Sequence, residues 1–247
     1  MLHITDLTYR LGDRMLFDQA TLGIPAGYKV GLVGVNGAGK TTLFRIIQGE
    51  AASEAGQIKI RPSAKVGHVA QEAPGGDTSL LETVLAADTE LVALRAEAET
   101  ATDAERIAYI HTRLADISAH TAEARAARLL SGLGFDAEAQ KRPCSDFSGG
   151  WRMRVALASL LFTEPDLLLL DEPTNYLDLE GVIWLENYLR TYPYTVLLIS
   201  HDRDLLNSAV THIAHLEGGK LTLYTGGYNR FEELRRQNQE RQMALKS

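Results

Sequence analysis

The chain has 247 residues, of which 45% are hydrophobic and 23% charged, a composition that is typical of a globular protein with ample material for a core. Its 32 acidic residues outnumber its 25 basic residues and give a formal charge of −7, which excludes a general attraction to nucleic acid and leaves only local contacts. The single cysteine, Cys144, excludes an internal disulfide and a cysteine metal cluster. Because the chain also lacks an apolar stretch of membrane-spanning length and a signal peptide at its start, we expect a soluble, cytoplasmic protein.

The first part of the chain predicts a small antiparallel β layer. Residues 3–24 alternate between apolar and polar types and are interrupted by Gly12-Asp13, which is typical of a hairpin. The apolar run at residues 29–33 predicts a short buried strand. Two further short strands are predicted in GQIKI and in AKVGHVAQ, the second of which ends on Gln71.

The strand at residues 29–33 leads into a glycine-rich motif. Gly34 to Thr41 fit the pattern Gly-x-x-x-x-Gly-Lys-[Ser/Thr], and an apolar-periodic helix follows with Gly49 as its stop. Glycines let backbone N–H groups approach a polyphosphate at a helix N-terminus, while Lys40 reaches the β- and γ-phosphates and the Thr41 hydroxyl ligates Mg²⁺. The alternative is a chance glycine-rich turn that opens a helix. The residues predicted to bind the nucleotide are Gly34, Asn36, Gly37, Ala38, Gly39, Lys40, Thr41 and Thr42.

Residues 78–142 change in character and predict several helices. Alanine, glutamate, arginine and leucine dominate this region, and apolar residues recur at helical spacing. We expect breaks near Thr102-Asp103, which resembles a helix N-cap, and near residues 132–134. The charges here are interpreted as solvated helix faces.

The rest of the chain predicts a parallel sheet that is buried on both faces. DLLLLDEP (residues 166–173) and TVLLISHD (residues 195–202) are continuous apolar runs that end in polar residues, with a helical segment at residues 179–189 between them. Ser148 lies where a helix begins, and HIAHLEGGKLTLYTGG predicts a hairpin that turns at Gly218-Gly219. The tail from residue 228 is so polar that we expect its helix to need a partner or a continuation.

Four polar side chains are predicted to surround the phosphates, because ligands of open parallel sheets lie beyond the C-terminal ends of the strands. Asp171 is suited to hold Mg²⁺ and Glu172 to take a proton from an attacking water. Gln71 is expected to orient that water or to reach the metal, and His201 to sense the γ-phosphate. The alternatives are that the two carboxylates cap a helix or form a turn, and that the Ser-His-Asp residues are helix caps.

In this combination of motifs the chain resembles the ATP-binding cassette family. GVNGAGKTT, Gln71, FSGGWRMR, LLLLDEP, NYLD and Ser-His-Asp match, in order, its phosphate loop, glutamine loop, signature, magnesium strand, dimer-facing aspartate loop and histidine switch. The resemblance implies an α/β fold of the P-loop NTPase class and the ABC ATPase type. Its expected parts are a parallel core sheet, a small antiparallel β layer and an inserted α-helical subdomain at about residues 78–162, all within an ATPase domain at residues 1–227.

Further details resemble the ABC-F branch, whose soluble translation ATPases join two cassettes through a long helical linker. Transporter cassettes usually carry glutamine after Ser-Gly-Gly, whereas this chain has Trp151, followed by Arg-Met-Arg. The segment from Asp171 to Asp178 and the closing YTGGYNRFEELRRQ are also similar to ABC-F sequences. The resemblance implies the N-terminal cassette of a longer protein, with residues 228–247 as the start of the linker.

The family mechanism, applied to this sequence, implies that two cassettes enclose two molecules of ATP with Mg²⁺. Ser148, Gly149 and Gly150 then complete the site of a partner cassette, which is either a second cassette of the same parent chain or a second copy of this one. Ribosome and tRNA are the further partners that the resemblance implies, and no membrane is expected. The residues implied as metal ligands are Thr41, Gln71 and Asp171, and those implied as catalytic are Glu172, His201 and Gln71.

Two positions depart from the family pattern. Tyr176 stands where other members often carry histidine, a change that we expect to be tolerated. The aromatic residue that stacks on adenine usually precedes the glycine of the first hairpin, where this chain has Leu11. Tyr9 or Phe17 is the candidate substitute.

Two other functions compete with a ribosome-associated ATPase. One is the nucleotide-binding subunit of a membrane transporter. Trp151 and the linker-like tail argue against this function. The other is a regulatory scaffold that binds ATP without hydrolysing it. The presence of Glu172 argues against this function, since a scaffold needs no general base.

Overall fold

The computed structural model describes residues 1–246, which divide into two compact units. The first unit consists of residues 1–68, 165–175 and 186–247, and the second of residues 69–164 and 176–185. The described strands are β1 (Leu2–Leu11), β2 (Arg14–Ile24), β3 (Lys29–Val33), β4 (Ala55–Ile60), β5 (Val66–His68), β6 (Leu167–Asp171), β7 (Thr195–Ile199), β8 (His212–Glu217) and β9 (Lys220–Thr225). The described α-helices are α1 (Lys40–Ile47), α2 (Leu80–Ala86), α3 (Thr89–Thr100), α4 (Ala104–Asp116), α5 (Ala122–Gly132), α6 (Ala137–Gln140), α7 (Gly149–Phe162), α8 (Leu179–Thr191), α9 (Arg203–Ser208) and α10 (Tyr228–Lys246).

The antiparallel layer of the first unit has the strand order β2-β1-β4. β1 pairs with β2 through the predicted hairpin, in which Gly12 takes a φ of 63°, a value that glycine adopts without strain. β4 contains the predicted strand GQIKI and pairs antiparallel to the other edge of β1. Leu2 and Ile4 of β1 point into the core with an exposed residue between them, as the alternation predicted, and an irregularity of the strand shifts this alternation before the buried Leu7.

The second sheet of the first unit has the order β5-β6-β7-β3-β8-β9. β5, β6, β7, β3 and β8 run parallel to one another, and β9 pairs antiparallel with β8 across the predicted turn at Gly218-Gly219. The leucines of β6 and all five residues of β7 are buried. This pattern confirms the predicted parallel core, whose strands read as continuous apolar runs because both faces are covered.

One predicted strand is shorter in the structure. β5 spans Val66–His68 and pairs with β6 over those three residues, whereas the sequence pattern extended the strand to Gln71. β5 pairs with β6 as far as His68, and after this residue the chain enters the second unit. Gln71 therefore lies on a loop, three residues beyond the end of the strand.

The second unit is helical, as the sequence predicted. Side chains at the starts of four helices accept hydrogen bonds from the backbone, including Asp103, whose carboxylate receives the Arg106 N–H at 3.1 Å. α5 ends at Gly132, so both predicted breaks are confirmed. Leu80, Leu130 and Val155 are fully buried at the centre of the unit.

The polar tail forms α10, whose first turns belong to the first unit. Phe231 is buried and its ring lies 5.0 Å from that of His215 and 5.1 Å from that of Tyr224. Arg203 donates to Glu232 at 2.7 Å, which ties α9 to α10. From Arg241 to Lys246 every residue of the helix is exposed. Only the start of this polar helix is thus supported by packing, as its composition predicted.

Candidate nucleotide-binding site

The glycine-rich loop between β3 and α1 has the conformation that its glycines permit. Gly37 and Gly39 take φ values of 80° and 114°, in the left-handed region that side chains disfavour, and Gly39 is the N-cap of α1. A Cβ on Gly34 would lie 2.8 Å from the carbonyl oxygen of Leu216 on β8. The loop therefore needs glycine at 37 and 39 for conformation and at 34 for space.

Two cations lie against the carbonyl groups of this loop. The Lys40 Nζ donates to the carbonyl oxygen of Gly34 at 2.7 Å, across the interior of the loop. The Arg14 Nη2 donates to the carbonyl oxygen of Gly37 at 2.6 Å. Sequence reasoning missed Arg14, since it follows the first hairpin turn and belongs to none of the recognised motifs. Both positive charges are placed to attract an anion to the loop.

Thr41 and Asp171 form an oxygen pair that suits Mg²⁺. The Thr41 Oγ1 donates to the Asp171 Oδ2 at 3.0 Å, although the two residues are 130 positions apart in the sequence. A hydroxyl and a carboxylate are hard oxygen ligands, and Mg²⁺ beside a nucleotide takes only one or two ligands from the protein and the rest from phosphate and water. Within residues 1–246 there is no group of three or more His, Cys, Asp or Glu side chains that would form a metal site without a nucleotide.

Glu172 and His201 form a second pair at the same edge of the sheet. The His201 Nε2 lies 3.1 Å from the Glu172 Oε1, and the backbone N–H of His201 donates to the Glu172 Oε2 at 3.3 Å. The Glu172 side chain is 21% exposed, whereas that of His201 is 67% exposed. The carboxylate is thus held in place, and the imidazole that contacts it stays open to a ligand.

Glu172 has an unusual backbone conformation. Its φ of 48° lies in the left-handed region, which costs free energy for a residue with a side chain. Its N–H donates to the carbonyl oxygen of Ile199 at the end of β7, at 2.8 Å, and its own carbonyl accepts from Asn175 N–H at 3.2 Å. The two bonds hold the strained residue so that its carboxylate turns towards His201.

The structure confirms the capping alternative for Asp202 but not for Asp171, Glu172 or His201. The N-cap of α9 is Asp202, whose Oδ1 accepts the Leu205 N–H at 3.1 Å, so His201 is left for the pair with Glu172. At the start of α8 it is Asp178 Oδ1 that accepts, from the Gly181 N–H at 2.9 Å. Asp171 and Glu172 instead direct their oxygens to Thr41 and His201.

A cavity of about 500 Å³ adjoins the loop in the first unit, within the size range of small-molecule sites. Its walls are the loop, the histidine segment, the β8-β9 turn and the start of α10, and its cationic lining residues are Arg14, Lys40, Arg203 and Arg235. His215 also lines it, and burial lowers the pKa of this imidazole, an effect that Glu217 opposes and Arg235 reinforces. The lowered pKa favours the neutral form of His215 over its charged form.

The structure corrects one candidate for adenine stacking. Phe17 is 0% exposed, and its ring is among the atoms nearest to Gly39, so it has no free face for a base. Tyr9 is partly buried against the apolar core of the unit. The apolar side chains that remain exposed around the hairpin are Leu11, at 60%, and Met15, at 38%.

Four predicted site residues belong to the second unit, namely Gln71, Ser148, Gly149 and Gly150. Ser148 is the N-cap residue of α7, and its hydroxyl makes no capping hydrogen bond within the described part of the chain. Ser148 and Gly149 are exposed and Gly150 is half-buried, so this helix start is open to an anion. Gln71 is exposed on its loop. The structure thus brings Lys40, Thr41, Asp171, Glu172 and His201 together in one unit, and the roles of Gln71 and of residues 148–150 stay predictions.

Comparisons with known proteins give the family. The profile of the family described as ABC transporter matches residues 17–175. A protein named "Probable ATP-binding protein YheS" from Escherichia coli K12 is 46% identical over 248 residues, which cover 99% of this chain and 39% of that protein. The human protein "ATP-binding cassette sub-family F member 3" is 41% identical over 256 residues, 97% of this chain and 35% of its own length. This chain thus spans about two fifths of the length of these curated relatives.

Solved structures show the same fold. A dimeric ATP-binding cassette in a post-hydrolysis state with bound ADP and Pi superposes with a TM-score of 0.62 at 21% identity, over 91% of this chain and 98% of that one. The ATP-binding subunit of an ABC transporter reaches 0.68, also at 21% identity, over 96% and 92% of the two chains. Every helix within residues 1–246 is too short or too polar to cross a membrane. With its phosphate loop and its paired acidic and histidine residues, the chain belongs to the ATP-binding cassette family.

Proposed function

We propose that the chain binds ATP with Mg²⁺ and hydrolyses it when a second cassette closes over the nucleotide. The observation that carries this proposal is the set of two pairs, Thr41 with Asp171 and Glu172 with His201, at one edge of the parallel sheet beside Lys40. A site for binding alone needs the loop and the metal ligands, but it has no use for a carboxylate that is strained and held beside an imidazole.

The roles of the residues follow from their chemistry. Lys40 exchanges its bond to the Gly34 carbonyl for the β- and γ-phosphate oxygens, and the loop N–H groups hold the remaining phosphate charge. Thr41 and Asp171 hold Mg²⁺, which neutralises charge on the phosphates when it is bound. Glu172 takes a proton from the water whose oxygen attacks the γ-phosphorus, and ADP leaves. His201 holds Glu172 and, from its exposed face, donates to the γ-phosphate.

A second cassette supplies the other side of the site. In the first unit Thr41, Asp171 and His201 are exposed, so one chain does not exclude water from the reaction. The start of α7, at Ser148, Gly149 and Gly150, in turn donates hydrogen bonds to the nucleotide that the partner binds. The partner is a second cassette of a longer parent chain, in which this one is the N-terminal cassette, or another copy of this chain.

The longer protein is proposed to act on the ribosome in the cytoplasm. Trp151 in place of the usual glutamine and the polar helix that begins at Tyr228 support this role over that of a transporter subunit. The described part of α10 continues past its packed first turns with every residue from Arg241 to Lys246 exposed, as suits a helix that leads to another cassette. Recognition of ribosome or tRNA is assigned to this linker.

Co-sedimentation with ribosomes tests this role. The parent protein with Glu172→Gln is mixed with ribosomes and ATP, and the matched control is Glu138→Gln, which makes the same change at an exposed position on α6. We expect the Glu172→Gln protein to remain on ribosomes in the presence of ATP, because the closed state is no longer released by hydrolysis. Recovery with a membrane subunit, or no ATP-dependent retention on ribosomes, would contradict the ribosomal role without affecting ATP hydrolysis.

A further inference from the structure

Arg154 is a buried cation in the second unit for which the proposed reaction has no role. It lies in the second turn of α7, and only 7% of its surface is exposed. Its Nε donates to the carbonyl oxygen of Tyr176 at 2.7 Å, and its Nη1 to that of Leu133 at 3.0 Å. A carboxylate oxygen of Asp178 lies 3.7 Å from Nη1. Burial of a charge costs free energy unless its hydrogen-bond donors are satisfied. The three partners of the Arg154 guanidinium therefore indicate that the fold holds this side chain in one position.

The Trp151 ring packs against the Arg154 guanidinium. The Arg154 Cζ lies 4.0 Å from the centroid of the Trp151 ring, within the range of a cation–π contact. Phe135 packs edge-on against the same tryptophan, with 5.2 Å between the ring centroids. A Cβ on Gly134 would approach the Arg154 Nη1 to 3.1 Å and the Trp151 ring to 3.2 Å, so there is no space for a side chain beside the pair.

The partners of Arg154 come from separate segments of this unit. Leu133 follows the end of α5, Arg154 itself is on the helix that begins with the Ser148–Gly150 turn, and Tyr176 and Asp178 precede α8. At the turn itself, a Cβ on Gly150 would lie 3.7 Å from the Tyr176 ring. The Arg154 guanidinium thus links α7 to the loop at residues 176–178.

We propose that Arg154, held by Trp151, is a positioning residue that fixes the spacing between the Ser148–Gly150 turn and the loop at residues 176–178. The two exposed segments then reach the γ-phosphate of ATP on a partner cassette as one rigid surface. This inference rests on the proposed function, since the spacing affects turnover only when residues 148–150 complete a partner's site. Lysine keeps the charge but lacks the planar fork that reaches two carbonyl groups, so Arg154→Lys is the informative change.

Hydrogen exchange measured by mass spectrometry tests the local part of this proposal. In Arg154→Lys we expect faster amide exchange at residues 133–135 and 176–183, because both segments lose a donor that holds their backbone. Arg128→Lys, the same change at an exposed position on α5, is the control and should exchange like the wild type. Wild-type exchange in Arg154→Lys at both segments would overturn the proposal.

Kinetics distinguish positioning from loss of structure. Arg154→Lys should lower kcat for ATP by about 10-fold to 100-fold, because small displacements of a positioned group reduce turnover strongly. KM for ATP should stay within about twofold of the wild type, since the phosphate loop and the Thr41–Asp171 pair, which hold the nucleotide before two cassettes close, lie in the first unit. A wild-type kcat, or a change confined to KM, would overturn the proposal.

Mixing of variants separates this inference from the proposed function. Lys40→Ala cannot use its own nucleotide site but keeps its signature, so it should restore turnover to Arg154→Lys above the sum of the two variants alone. Ser148→Arg, which obstructs the signature directly, is the reference and should be restored in the same way. Restoration of Ser148→Arg but not of Arg154→Lys would overturn the role of Arg154 alone. If neither is restored, the pairing of cassettes itself is wrong, and the inference about Arg154 is overturned with it.

Discussion

The two units of this protein support their site residues in different ways. In the first unit the reactive side chains hold one another, since Thr41 bonds to Asp171 and Glu172 pairs with His201. In the second unit the predicted site is a helix start whose exposed Ser148 and Gly149 contact no side chain in the described hydrogen bonds, and the support comes from the buried Arg154 behind it. The first arrangement can bind and activate a reactant, whereas the second can only donate to one.

Under the proposed function, each unit therefore contributes half of a different site. The unit that holds the proposed base is open on the side of Thr41 and His201. The predicted site residues of the other unit are Gln71 and residues 148–150, and none of them ionises. Substitutions in each unit test this difference separately.

Glu172→Gln should abolish most turnover. The amide cannot take the proton from water, and loss of a general base typically costs about 100-fold to 10,000-fold in rate. ATP affinity should be retained, because Lys40, Thr41 and Asp171 are unchanged. Steady-state phosphate release and nucleotide titration measure the two effects, with Glu138→Gln as the control. Hydrolysis by Glu172→Gln at the wild-type rate would show that another group is the base.

Lys40→Ala should weaken ATP binding by about 10-fold to 100-fold, the effect of one lost hydrogen bond to a charged group. Isothermal titration with ATP and Mg²⁺ measures the affinity. Lys59→Ala removes an exposed lysine from β4 in the same unit and should bind ATP like the wild type. An unchanged affinity in Lys40→Ala would contradict the assignment of the phosphate loop.

Gly132→Ala should destabilise the second unit. A Cβ at this last residue of α5 would lie 2.0 Å from the Trp184 ring, so the indole must move, and overpacking of this kind costs about 1–3 kcal/mol. Denaturant unfolding measures the loss. Gly23→Ala is the control, because its Cβ meets only an ordinary contact at 3.6 Å from the His3 ring. Equal stability of the two variants would mean that Trp184 relaxes freely.

Acidification should destabilise the first unit through His215, with the smallest effect of the four. Burial lowers the pKa of His215 in the fold below its ordinary value of about 6.5, so the unfolded chain binds the proton more readily. The stabilisation is therefore complete above about pH 6.5 and is lost as the pH falls towards the lowered pKa of the folded state.

Unfolding free energies at about pH 7.5 and about pH 5.5 test this effect. His215→Gln should lose less stability on acidification than the wild type. His111→Gln, at an exposed position on α4, should lose as much as the wild type does. A pH dependence in His215→Gln equal to that of the wild type would contradict the account.

The sequence predicted the elements of the fold well where local pattern determines them. The strands β3, β6 and β7 read as apolar runs because both faces of the sheet are buried, and the glycine pattern located the loop before α1. The end of β5 was predicted wrongly, since the apolar residues beyond His68 continue the pattern of a strand after the strand itself has ended.

Contacts between distant segments were not predictable from local pattern. The bond from Arg14 to Gly37 depends on how the first hairpin lies against the loop, and the left-handed φ of Glu172 depends on its bond to Ile199. Phe17 looked available for a base because alternation in β2 does not reveal that its ring packs at Gly39. The motif Trp-Arg-Met-Arg was visible in the sequence, but not the carbonyl groups that Arg154 reaches.

The dependence of turnover on protein concentration tests the central claim most directly, because a half-site reaction needs two cassettes. ATP hydrolysis per molecule of this chain is measured at saturating ATP over a wide range of protein concentrations. The account predicts that the rate per chain rises with concentration as copies pair, and that Ser148→Arg removes this rise. A rate per chain that is constant across the range would contradict it, since one chain would then contain a complete site.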